Sequence, residues 1–219
     1  MPKQPLITQI DLIEYSFSVP DLGMDASGYN FCYVPGQAVP IGKFALKIHS
    51  DAGVTGEYVG HYGASNQTLH QVRALIPLLL GKNALERERF YTDSQRVLRQ
   101  YDRMGSGLLD IALWDLAGKL HNASVSQLLG GYRTKLPTYA STYHGDRNGG
   151  LDSPAAYADF ARQCLEQGFP GFKIHGWNEG VIAEEVAVIE AVGKAVGGKM
   201  ALMVDPACEL RTWADTLRM

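Results

Sequence analysis

Cysteine is scarce in this chain of 219 residues: Cys32, Cys164 and Cys208 are widely spaced and form no CxxC pair. An odd, dispersed set does not make a disulfide frame and fits reduced thiols in a cytosol. None of the three has a paired base nearby in the sequence, which argues against a nucleophilic cysteine. Long apolar runs are also lacking. Leu75-Ile76-Pro77-Leu78-Leu79-Leu80 falls far short of the ~20 residues that a spanning helix needs. The start, Met1-Pro2-Lys3-Gln4-Pro5, leads into an alternating segment instead of a signal-peptide core. There is no excess of positive charge, with 20 Lys+Arg against 23 Asp+Glu and a net charge of −3. That removes the basic field on which nucleic-acid binding relies. The glycines of 145–150 have the wrong spacing for either phosphate-binding motif. What is there is ordinary for a folded protein: 46% apolar and 20% charged residues, too apolar and too weakly charged for a disordered chain. The composition predicts a soluble, cytoplasmic protein with neither nucleic-acid nor membrane partners.

The chain changes character near Pro137. Ile7 to Phe17 alternates and reads as a strand, as do Phe44–His49 and Val54–Val59, the last two joined by turn residues Ser50-Asp51-Ala52-Gly53. Residues 21–36, rich in Gly, Asp, Asn and Pro with interleaved aromatics, read as a long loop. Helices are predicted from Ser65 to about Leu80, over roughly 84–100 behind an Asn83/Glu86 capping box, and over Gly105–Leu120. After Pro137 the order alternates. Strands are expected at Thr138–Thr142, Gly171–His175 and Met200–Asp205. Helices are expected after Ser153-Pro154, over Val181–Val196 and from Leu210. The run Ala201–Val204 suits a strand buried on both faces.

The sharpest chemical feature is Lys173-Ile174-His175 at a strand end. Residues at i and i+2 share a face, so the lysine and histidine point the same way. Strand C-termini of parallel βα units are where ligands bind. Like-charge repulsion between the two would depress both pKa values and prepare a neutral base. A solvated strand end explains two such residues about equally well. Asp205 closes the third strand before Pro206; a carboxylate there suits Mg²⁺, which takes oxygen ligands, or else caps a turn. Glu209 belongs more naturally to the following helix. His49 reads as structural, His70 and His121 as packed or solvated, and His144 as a modest pocket candidate.

Gly107-Leu108-Leu109-Asp110-Ile111-Ala112-Leu113-Trp114-Asp115-Leu116-Ala117-Gly118-Lys119 resembles the signature helix of the mandelate racemase and muconate lactonising branch of the enolase superfamily. Its continuation through Leu128-Leu129-Gly130-Gly131 to Pro137–Ser141 is similar too. So are Gly168–His175, where the family usually carries Lys-x-Lys, and Val204-Asp205-Pro206. The resemblance implies an α/β protein in which an α+β capping domain (1–136) precedes a modified TIM barrel (137–219, about three βα units). It implies a Mg²⁺-assisted reaction in which a base removes the proton α to a carboxylate and the metal stabilises the enediolate. An α-proton of this kind is very weakly acidic, so a preorganised cation must meet the developing charge.

On this resemblance Lys173 and His175 take the base positions and Asp205 the first metal ligand. His175 replaces the family's second lysine; it serves as the base or as a substrate ligand. An acid-sugar dehydratase is favoured over a racemase, and a homo-oligomer is implied. Tyr29, His61 and Tyr143 are candidates for the substrate pocket.

Eight βα units take about 250 residues. Pro137 to Met219 has room for only about two and two-thirds units at the same spacing. Three parallel strands do not close a barrel. The expectation is therefore a partial sequence or truncated frame, inactive by itself, with too few carboxylates to hold Mg²⁺ tightly. The alternative is a non-catalytic structural or interaction protein.

Overall fold

The computed structural model describes residues 4–25, 28, 30–60, 66–143, 146–177, 179–207 and 210–219. It divides into two compact units, 1–17 with 40–133, and 18–39 with 134–219. The chain is a mixed α/β protein with two three-stranded sheets.

The first sheet has the order β1-β2-β3, with β1 at Ile7–Met24, β2 at Phe31–Ser50 and β3 at Thr55–Val59. β2 and β3 pair antiparallel, Lys47 opposite Glu57. Alternation in β2 sends Phe44, Leu46 and Ile48 into the core at 1% exposure or less, as the two-residue period of a strand requires. Helices α1 (Asn66–Leu75), α2 (Arg87–Val97) and α3 (Met104–His121) supply most of the rest of that core, with Ile7 of β1 and Leu79, Ala84 and Leu98 between the helices. α3 buries Leu108, Leu109, Ala112, Leu113 and Leu116. It ends where Asn122 turns left-handed and its N–H reaches back to Gly118 and Lys119.

Several expected boundaries move, for identifiable reasons. The region 21–36 is not one long loop: β1 runs on to Met24 and β2 begins at Phe31. Both faces of this ribbon are largely exposed, so it carries no apolar alternation from which strands are recognised. The helix expected to reach Leu80 stops at Leu75 and gives way to a single 3₁₀ turn over Ile76–Leu78. Pro77 lacks an N–H and disfavours helical geometry in the residue before it. α2 starts only at Arg87, because Asn83 Oδ1 is engaged earlier, accepting the Leu85 N–H at 3.1 Å. A short helix α4 (Val125–Leu128) follows α3 behind a capping box formed by Ser124 and Gln127. Ser65 lies outside the described residues.

The second sheet is parallel, in the order β4 (Ala140–Ser141), β5 (Gly171–His175), β6 (Ala201–Asp205). Helix α5 (Pro154–Glu166) links the first two strands and α6 (Ile182–Val196) the next pair; α7 (Trp213–Arg218) follows. Ser153 caps α5 by accepting the Ala156 N–H at 3.2 Å, with Pro154 at the first turn. Phe172 and Ile174 point to the helices, packed with Tyr157, Ala161, Val188 and Val192. Lys173 and His175 therefore face the opposite side. β6 is not buried on both faces: Leu202 and Val204 are 36% and 42% exposed, since β5 is its one neighbour in the sheet. Among the described residues no helix is long and apolar enough to cross a membrane.

Candidate active site at the strand ends

The register of β5 on β6 sets His175 opposite Asp205 and Lys173 opposite Met203. All three chemical side chains then meet at the C-terminal edge of the parallel sheet, the end at which such folds bind ligands. Lys173 Nζ donates to Asp205 Oδ2 at 2.9 Å, and His175 Nε2 stands 3.8 Å from the same oxygen. Asp205 Oδ1 accepts the Ala207 N–H at 3.1 Å. The hydrogen bond from Lys173, then the Ala207 N–H, holds the Asp205 carboxyl below the usual carboxylate range.

The expected mutual depression of Lys173 and His175 needs correction on one side. The Lys173 ammonium is pushed up, because its bond to Asp205 outweighs desolvation. The acid that joins them in space, 32 residues away in sequence, overrides the neighbour two residues along.

Lys173, His175 and Asp205 are thus brought together. Tyr143, half exposed, lines a cavity of about 400 Å³ with Pro20, Leu22, Tyr33 and Asp146, none of which belongs to that cluster. Tyr29, His61, His144, Cys208 and Glu209 lie outside the described residues. His49 ties the first sheet together, with Nδ1 at 3.0 Å from Thr55 Oγ1 and Nε2 at 2.8 Å from Asp11 Oδ2.

A second polar cluster, not foreseen in the sequence, braces the loops beside the site. The Arg147 guanidinium lies 3.8 Å over the Trp177 ring. It also donates to both Glu179 oxygens at 2.8 and 2.9 Å and to Glu184 at 2.6 Å. Trp177, two residues past His175, is 2% exposed and donates Nε1–H to the Leu151 carbonyl at 2.6 Å. With its donors committed to two carboxylates, Arg147 acts as a brace. No sequence motif announces this cluster, because its members are adjacent only in space.

Asp205 offers oxygen donors of the kind Mg²⁺ takes. Among the described residues no group of three or more His, Cys, Asp or Glu is placed to hold a metal. The site fits the ion as one carboxylate ligand, and further oxygen donors would be required.

Residues 43–130 match the family described as mandelate racemase / muconate lactonizing enzyme, N-terminal domain. D-galactonate dehydratase of Verminephrobacter eiseniae is 33% identical over 170 residues, covering 71% of this chain and 41% of that protein. D-galactarolactone cycloisomerase of Agrobacterium fabrum is 30% identical over 167 residues, covering 73% and 43%. The crystal structure of D-glucarate dehydratase from Agrobacterium tumefaciens complexed with magnesium superposes with a TM-score of 0.75 at 27% identity, over 93% of this chain and 54% of that one. The chain spans about half the length of these relatives.

Proposed function

Because the chain belongs to the mandelate racemase / muconate lactonizing enzyme branch of the enolase superfamily, we propose that its strand-end cluster removes the proton α to a carboxylate, within a Mg²⁺-dependent dehydratase of sugar acids. The observation that carries this is the convergence of Lys173, His175 and Asp205 at the ends of neighbouring parallel strands. Relatives that are dehydratases of hydroxylated acids support the choice of substrate class. Others are racemases and epimerases, which share the first proton transfer.

Roles divide by what each side chain is already doing. Lys173 donates to Asp205, so it serves as a fixed cation beside the substrate carboxylate. His175 carries an imidazole, the side chain most often used for general acid–base catalysis, and we assign it the base. Asp205 is assigned as a metal ligand; Mg²⁺, when bound, supplies positive charge against the charge that develops on the substrate carboxylate. In dehydration the Cα–H bond breaks and the proton passes to His175. The β C–O bond then breaks, a proton goes to the departing oxygen, and the resulting enol becomes a 2-oxo-3-deoxy acid. We assign residues 1–136 to a capping domain and 137–219 to the beginning of a barrel, in a protein that forms homo-oligomers.

The test is a product assay with Mg²⁺ on D-galactonate and D-glucarate, run on a protein in which this chain is continued to the length of its relatives. Formation of the 2-oxo-3-deoxy acid is expected. Exchange or inversion at the α-carbon without loss of water would replace the dehydratase reading with a racemase. Neither product nor exchange would refute the enzymatic proposal and favour a structural or interaction role.

A further inference from the structure

β4 and β5 part company immediately before the site, and the manner of their parting fixes His175. The parallel ladder pairs Ser141 with Lys173, and Thr142 N–H donates to Lys173 O at 3.2 Å. In an unbroken parallel ladder the next rung would run from His175 N–H to the Thr142 carbonyl. Instead, His175 N–H donates to Thr142 Oγ1 at 2.8 Å, and the Thr142 carbonyl takes the Ser141 hydroxyl at 3.0 Å. The Thr142 hydroxyl also donates to the His175 carbonyl at 3.0 Å. A hydroxyl has one donor and two acceptor positions, so this one side chain satisfies both main-chain groups of His175. The carbonyl's other lone pair accepts the Tyr157 hydroxyl of α5 at 3.3 Å. Thr142 is 5% exposed and Tyr157 fully buried. Tyr157 is itself set edge-on against Trp177, ring centroids 5.5 Å apart.

We propose that Thr142 and Tyr157 are positioning residues for His175. Clamped to its main chain, they fix the imidazole at the strand end beside Lys173 and 3.8 Å from the Asp205 carboxylate. The inference rests on the base role assigned to His175, but the clamp itself is open to independent measurement. Neither residue touches the reacting atoms; each acts through the histidine. The sensitivity is expected to be high, because misplacing a reacting group by about 1 Å can cost about 10²-fold in rate.

Thr142→Val keeps the shape and removes the hydroxyl; Thr142→Ser keeps the hydroxyl; Tyr157→Phe removes the longer bond and serves should Thr142→Val fail to fold. The His175 ring signal in a ¹H–¹³C spectrum is assigned by its loss in His175→Ala. In Thr142→Val, exchange of the His175 amide proton is expected to accelerate at least tenfold, and the His175 ring signal to shift. The expected kcat for α-proton removal falls about 10- to 100-fold, the range a sub-ångström displacement implies, with KM within about twofold. Thr142→Ser is expected to restore all three, and Tyr157→Phe to give the same changes at a few-fold. Unchanged amide exchange and ring signal in Thr142→Val would overturn the clamp, whatever His175→Ala does to turnover. Faster exchange with kcat unaffected would overturn the positioning role. If His175→Ala retains full α-proton removal, it is the base assignment that fails, and the exchange and ring-signal measurements still decide whether the clamp exists.

Discussion

Trp177→Phe removes more from the second unit than an indole-to-phenyl change suggests. The indole N–H is the donor to the Leu151 carbonyl at 2.6 Å, and both residues are buried. Losing that bond leaves a buried acceptor unpaired, at a cost of about 1–3 kcal/mol. The stack with Arg147 at 3.8 Å weakens as well, by roughly 0.5–1 kcal/mol at a partly exposed cation. The edge contact with Tyr157 is shortened to a smaller ring, with a void left beside it. The total is about 3 kcal/mol, or about 6–12 °C in Tm for a chain of this length. Thermal unfolding followed by far-UV circular dichroism measures it. Trp213, 73% exposed, provides the control, since Trp213→Phe should stay within about 0.5 kcal/mol. Should Trp177→Phe cost no more than Trp213→Phe, the brace beside His175 would not be holding that loop.

Gly56 of β3, which faces α3, and Gly107 of α3 should respond with opposite signs. A Cβ on Gly56 would lie 2.1 Å from the Ala112 carbonyl oxygen and 2.6 Å from Leu116 Cβ; overpacking of that kind costs at least ~2 kcal/mol in urea unfolding. A Cβ on Gly107 meets nothing within 4 Å, so Gly107→Ala should gain up to ~1 kcal/mol of helix propensity; equal signs would contradict the close packing of β3 on α3. Acid stability tests the Arg147 brace. Its bonds hold Glu179 below the usual carboxylate range. That stabilisation is present above the unfolded-state pKa and lost as pH falls through the depressed folded value. The stability gap between the native protein and Arg147→Gln should therefore narrow as pH drops through the carboxylate range; a gap that stays constant would refute the ion pair's share.

What was legible in the sequence follows the range of the forces involved. Period-two alternation put Phe172 and Ile174 on one face and Lys173 and His175 on the other, and the packing agrees. The N-cap at Ser153-Pro154 and the apolar stripe of α3 were local patterns and appear as such. The outer ribbon, 18–39, was not legible, because strands exposed on both faces have no apolar period. The capping box at Ser124 and Gln127 is present in the sequence as Ser-x-x-Gln, but the four-residue helix behind it is too short to carry an apolar period. The effect of Asp205 on Lys173 depends on the register of β6 against β5, which no local pattern encodes. Tyr157 reads as one more apolar position on α5; that its hydroxyl reaches the end of β5 is a tertiary fact.

The central claim concerns which side chain takes the proton. It is tested most directly by comparing formation of the 2-oxo-3-deoxy acid from D-galactonate and from its 2-deuterated form with Mg²⁺, in a protein carrying this chain at the length of its relatives and in its His175→Ala and Lys173→Ala variants. The assignment predicts that His175→Ala abolishes removal of the α-hydrogen and that Lys173→Ala lowers it mainly through weaker substrate binding. Undiminished turnover in His175→Ala would contradict it.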